Sequence, residues 1–199
     1  SRKNPLDRLL AALKSLESLE ANLKVSAFCD SLKFGIVSSP PCSFCKGISM
    51  ASSERFGYEW ENYREMIPVY EDQFRKWTCL LSREEWKDRT ILDVGAGMGR
   101  NSYWALTYGA REVHLIDVDE RSLNQARQNL SEYKNKRIEY CSAYDIHEVD
   151  YYDIVMCIGV LHHLESPLNA LQKMYSACKK GGKCIIWVYG YENNEWIVR

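Results

Sequence analysis

The stretch ILDVGAGMGRNSYWA, Ile91 to Ala105, decides the fold. Three glycines, Gly95, Gly97 and Gly99, stand at alternate positions directly after an apolar run that contains one acid, Asp93. Glycine reaches positive φ without strain and carries no Cβ, so at such a turn a ligand can lie against bare backbone. The apolar run reads as a buried strand and the residues from Arg100 onward as a helix. The helix points its partly positive N-terminus at the same turn, which suits a carboxylate or a phosphate.

Outward from this turn, short apolar runs alternate with amphipathic segments. The pattern predicts strands at 91–94, 113–117, 137–142, 154–158 and 183–189, and helices at 100–108, 120–133 and 167–178. Such alternation implies parallel strands with right-handed crossovers: an α/β, doubly wound, Rossmann-like parallel sheet. Ligands of these sheets bind beyond the carboxyl ends of the strands, where the strand order reverses.

The strand ends therefore supply the candidates. Asp117, in VHLIDVDE, lies 18 positions after Gly99, near the spacing of an acid that accepts hydrogen bonds from a ribose hydroxyl pair. Asp119 is the alternative acid, and it better fits a helix cap because a helix starts at Glu120. In SAYDIHE, Asp145 could accept from an adenine amino group and the Ile146 backbone N–H could reach a ring nitrogen; a turn-capping loop acid is the plainer reading. In YDIVMCIGVLHHLESP, Cys157, Ile158 and Gly159 end the fourth strand, and His162 and His163 follow on the next turn. Neighbours on a helix point about 100° apart and rarely converge on one ion, so the histidines read as structural or as pocket-lining rather than metal ligands. The G-x-G-x-G spacing also differs from the G-x-G-x-x-G of nicotinamide and flavin folds, which weighs against an NAD-dependent oxidoreductase.

The rest of the 199 residues divides into three regions. Residues 1–50 form an extension: an amphipathic helix over 5–24, with leucines from Leu6 to Leu23 three or four apart, then a linker over 25–50. The leucine stripe suits docking on the chain's own body, or a homodimer. Cys42 and Cys45 supply half of a tetrahedral zinc site, but no second pair follows, so inert thiols and no metal are expected. Residues 51–89 read as a helical, aromatic-rich lid, and residues 90–199 as the cofactor-binding domain. The net charge of −1 gives no overall field toward nucleic acid or an anionic membrane. No apolar run approaches the ~18 residues of a spanning helix. The eight cysteines and the absence of a signal-like apolar core point to a cytoplasmic protein without disulfides.

Taken together, LDVGAGMG, LIDVD, AYDI and GVLHHL resemble the class I S-adenosylmethionine-dependent methyltransferases of the type 11/12-like group. The resemblance implies S-adenosylmethionine as cofactor and S-adenosylhomocysteine as product. It implies that Gly95, Ala96, Gly97 and Gly99 pass the methionine part, that Asp93 holds its amino group through water, and that Asp117 binds the ribose. Val118, Asp145 and Ile146 would bind the adenine, and Cys157 would face the cofactor from the end of the fourth strand. The upstream SERFGYEW is similar to a segment that precedes this domain in a group of bacterial methyltransferases. It implies that Arg55, Phe56, Tyr58, Tyr63 and Tyr70 line a substrate pocket under a helical lid, with plain aromatic packing the rival reading. A looser likeness, through RKWTCLLSREEWKDRTILDVGAGMG and GVLHHLESPLNAL, joins the chain to methyl- and carboxymethyl-transferases of tRNA wobble uridine; the absence of a basic balance counts against it.

The family's sheet has seven strands, so the last two are expected to be missing here. The implied reaction is in-line methyl transfer to a small-molecule acceptor. A sulfonium is a good leaving group, so positioning and exclusion of water carry much of the rate. A base is needed only if the acceptor loses a proton, and His162 is the candidate. The rival expectation is a non-catalytic module that works through a protein partner.

Overall fold

The computed structural model describes residues 25–29, 32–39 and 66–189. Seven strands form one sheet: β1 Val25–Cys29, β2 Leu32–Ser39, β3 Thr90–Val94, β4 Glu112–Asp117, β5 Lys136–Tyr140, β6 Tyr152–Ile158 and β7 Cys178–Tyr189. Their order across the sheet is β1-β2-β7-β6-β3-β4-β5, and every neighbouring pair is parallel except β1 with β2. From β3 the chain steps outward through β4 to β5, then returns to the other side of β3 for β6 and β7. The reversal point therefore lies between β3 and β6, where the glycine turn emerges.

The helices are α1 Val69–Trp77, α2 Arg100–Thr107, α3 Glu120–Asn129 and α4 Pro167–Ala177, with short 3-10 turns at Arg83–Trp86 and Leu161–His163. Strand alternation sorts the apolar side chains into two cores. On one face Leu92, Val94, Val155 and Cys157 pack against Ala170, Leu171 and Met174 of α4. On the other, Ile91, Ile154 and Met156 pack against Phe74 of α1, Trp104 of α2 and Ala126 of α3. The central β3 is buried along its whole length, as a strand covered on both faces must be. The edge strand β5 is half exposed.

The elements from Thr90 onward lie within a few residues of the sequence expectation, and the α/β doubly wound sheet is the one observed. The segment read as a linker is different. Residues 25–39 supply β1 and β2, and β2 runs parallel to β7 from Lys33 opposite Lys183 to Ser39 opposite Tyr189. The N-terminal hairpin thus occupies the edge beside β7, where two C-terminal strands were expected to be missing. An uncovered β7 would present a row of unpaired backbone groups, and β2 satisfies them. The 5–24 helix, Cys42 and Cys45 lie outside the described residues. Among the described residues no helix is long and apolar enough to cross a membrane, and no cluster of ligating side chains could hold a metal ion.

Candidate functional site

The loop from Gly95 to Gly99 is pinned to the end of β4. The N–H groups of Gly95 and Ala96 both donate to the Ile116 carbonyl, at 2.9 and 3.1 Å. The Gly97 N–H donates to Oδ2 of Asp117 at 2.8 Å, and the Asp119 N–H donates to Oδ1 at 2.9 Å. Burial raises the Asp117 pKa, opposed by these backbone donors. The carboxylate that the spacing assigned to a ribose therefore sits at the carboxyl edge, tied to the glycine loop itself. Asp119 caps α3, accepting from the Ser122 N–H at 3.1 Å, the role expected of it.

All three glycines have positive φ: 72° at Gly95, 54° at Gly97 and 80° at Gly99. The space saved by two of them belongs to the protein. A Cβ on Gly95 would lie 2.4 Å from Cγ2 of Val160, and one on Gly99 would lie 3.0 Å from Cδ1 of Leu130. Gly95 lets the β6–α4 connection close over the loop, and Gly99 lets α2 start against α3. The sequence reading had given that space to a ligand.

Asp93 is only 1% exposed, below the loop rather than on its surface. Ser102, in the first turn of α2, donates its hydroxyl to Oδ2 of Asp93 at 2.7 Å. Burial pushes the carboxyl up to about 7, the Ser102 hydrogen bond pulls it back, and the Asp117 charge adds to the rise. Two carboxylates thus flank one loop, and one of them is poised to ionise near neutrality. Such a site favours a cation with hydroxyl donors and disfavours a pyrophosphate. Ser102 was not anticipated; a hydroxyl in the first helical turn after a buried strand acid is the signal that would have found it.

Val118 is 49% exposed beside Asp117, an apolar face left open at the crevice. Asp145 is exposed, with its N–H donating to the Ser142 carbonyl at 2.9 Å. The Ile146 side chain is buried in the core, so only its backbone can serve a ligand. Cys157 does not face the crevice. It is wholly buried on the α4 face, where desolvation and then the Asp93 charge push its thiol to about 12. Strand parity places it there, a consequence its position near the end of the strand did not reveal.

His162 and His163 lie on the 3-10 turn after β6, with ring centroids 3.9 Å apart. Burial lowers the pKa of both, and the neighbouring His163 lowers His162 further, well below the ordinary imidazole range. Of the lid candidates, Arg55, Phe56, Tyr58 and Tyr63 lie outside the described residues. Tyr70 stands beside the loop, with the Arg100 guanidinium 4.5 Å from its ring centroid. The same guanidinium is 5.6 Å from Trp77, whose ring is 5.0 Å from Trp187 at the end of β7. This cation–aromatic stack joins α1 to the N-terminus of α2 and to the end of β7.

Residues 92–184 match a family model described as a methyltransferase domain. A Helicobacter pylori protein named tRNA U34 carboxymethyltransferase is 31% identical over 122 residues, covering 58% of this chain and 46% of that protein. The chain spans less than half the length of the curated relatives it matches. A crystal structure of a Listeria monocytogenes protein, assigned as an S-adenosylmethionine-dependent methyltransferase, is similar with a TM-score of 0.53 and 27% identity, over 59% of this chain and 52% of that one. A Methanococcus maripaludis structure shares the fold at a TM-score of 0.58 and 20% identity, over 75% of this chain and 71% of that one.

Proposed function

We propose, from the premise that this chain carries a class I S-adenosylmethionine-dependent methyltransferase domain, that it transfers a methyl group from that cofactor to a small-molecule acceptor. The observation that carries the reading is the pair of carboxylates on one glycine loop, Asp93 beneath it and Asp117 hydrogen-bonded to Gly97 at its tip. Bound S-adenosylmethionine supplies an electrophilic methyl on a sulfonium. The residues present fit it: Asp117 accepts from ribose hydroxyls, Val118 offers an apolar face to the adenine, and Asp93 provides negative charge for the amino group. Arg100, Tyr70 and Trp77 close one side and limit water at the reacting centre.

His162, past the end of β6, is our candidate base where the acceptor must lose a proton; desolvation lowers its pKa, which leaves the imidazole neutral at pH 7 but weakens it as a base. A proton NMR titration of the ring is expected to show no midpoint near the ordinary ~6.5. A midpoint there would remove the burial argument for this residue.

Calorimetric titration with S-adenosylhomocysteine, with NADH as control, tests the reading. One-to-one micromolar binding of the former alone is expected, and a folded chain that binds neither would refute it. A second reading, with a tRNA nucleotide as acceptor, draws support from the names of the curated relatives, and binding to a short anticodon stem–loop would favour it. We place the reaction in the cytoplasm, in keeping with five free cysteines among the described residues. The leucine stripe of residues 5–24 remains our candidate surface for a homodimer.

A further inference from the structure

At the opposite end of the sheet, the amino-terminal ends of β3, β6 and β7 enclose a cavity of about 230 Å³. Its walls carry Arg89, Lys179, Lys180 and Lys183 against Glu85 and Asp153, four cations to two carboxylates in a chain of net charge −1. An irregular ladder builds it. Tyr152 pairs with Cys178 and Ile154 with Lys183, so only Asp153 on β6 faces residues 179–182 of β7, and these bulge away. Bulges re-aim side chains and recur beside functional sites. Gly181, at φ 80°, opens onto empty space, while Gly182 is packed so that a Cβ would lie 2.8 Å from the Cys178 Sγ and 2.9 Å from the Asp153 carbonyl.

Both acids in the wall are already matched. Asp153 takes the Lys179 ammonium at 3.0 Å and the Arg111 guanidinium at 3.3 Å, and Glu85 pairs with Lys183. The side chains of Arg89 and Lys180 are exposed and have no carboxylate partner among the described residues. A further acid, Asp150, accepts the Lys180 backbone N–H at 2.8 Å. The excess positive charge is thus concentrated where the bulge leaves room.

We propose that this cavity binds a phosphate group, held by Arg89 and Lys180 at the mouth with the paired lysines behind them. A guanidinium fork matches two phosphate oxygens and an ammonium adds a point charge. The site is separate from the glycine loop by the length of the central strands, ~20 Å at 3.3 Å per residue. It does not rest on the methyl-transfer reading. The phosphate belongs either to a phosphorylated small molecule or to an RNA backbone.

Titration of the full chain at low salt with inorganic phosphate, and separately with a short single-stranded RNA, tests this. Arg89→Gln, Lys180→Gln and the double variant serve as comparisons, with melting temperature as the check of folding. Saturable phosphate binding, weakened at least tenfold in the double variant and less in each single one, is expected. RNA binding weakened by the same substitutions assigns the site to a phosphodiester; phosphate binding alone assigns it to a free phosphorylated ligand. No saturable binding of either probe, or equal binding in folded variants, would overturn the proposal.

Discussion

Asp93 is the residue where stability and function pull apart. Its carboxyl rises from 3.8 in the unfolded chain to about 7 in the fold, chiefly through burial. Between these values the folded state holds a proton that the unfolded state has lost, so stability falls as pH rises from about 4 to 7. At 1.36 kcal/mol per pH unit, the penalty above pH 7 is roughly 4 kcal/mol as an order of magnitude. Asp93→Asn is therefore expected to raise the melting temperature of the ligand-free protein at pH 8, and much less at pH 5, while weakening S-adenosylhomocysteine binding. Melting curves at the two pH values, with one calorimetric titration, check both halves. Asp117→Ala is expected to weaken the same ligand by about 1.5–3 kcal/mol, the range for hydrogen bonds to charged groups. Unchanged affinity in that variant would remove the ribose assignment. Both acids were visible in the sequence because strand ends and glycine spacing mark them. Val160 was not, because packing rather than a pattern of its own brings it to that loop, and Ser102 was missed although its place in the first turn of α2 after a buried strand acid marks it.

At the scale of elements, the β3–α2 turn illustrates how one glycine serves the chain. Gly95→Ala would place a Cβ 2.4 Å from Val160 at a φ of 72°. Left-handed backbone at a non-glycine residue costs of order 1–3 kcal/mol, and stiff, β-branched Val160 cannot move aside cheaply. Urea unfolding should show at least that loss, with Val160→Ala in the same chain restoring the steric part and leaving the backbone part. Recovery to wild type in the double variant would mean that φ strain contributes nothing. The helices and strands of residues 90–189 were legible because their apolar periods are unmixed. β1 and β2 were not: their Ser and Gly residues and the Pro40-Pro41 pair that follows read as linker. Their pairing is decided by the open edge of β7 about 150 residues away.

At the scale of the whole molecule, Asp93 and Asp117 lie by the glycine loop at the carboxyl end of the sheet, and the lysine-lined cavity lies at its amino end. Asp153 fastens the latter. It accepts from the Thr90 N–H at 2.8 Å and the Thr90 hydroxyl at 2.7 Å, and binds Lys179, joining β3, β6 and β7. Burial opposes its ionisation, but the Thr90 and Lys179 contacts prevail and hold its pKa near about 2, below the unfolded 3.8. A depressed carboxylate stabilises the fold above the unfolded value, and that stability is lost as pH falls through the folded one. Asp153→Ala should cost roughly 2 kcal/mol at pH 7, with the gap from wild type narrowing as pH falls from about 4 toward 2. Denaturant melts across that range measure it; a gap that does not change with pH would assign the loss to packing.

By itself the sequence determined the parallel α/β sheet, the position of the glycine loop and the two acids beside it, because local periodicity and glycine spacing encode them directly. The tertiary structure alone decided which side of the sheet Cys157 faces, what fills the space beside Gly95, which strands cover β7, and that four cations from two separated segments share one cavity. Those outcomes depend on which distant residues meet across the sheet, and no local pattern in the chain carries that information.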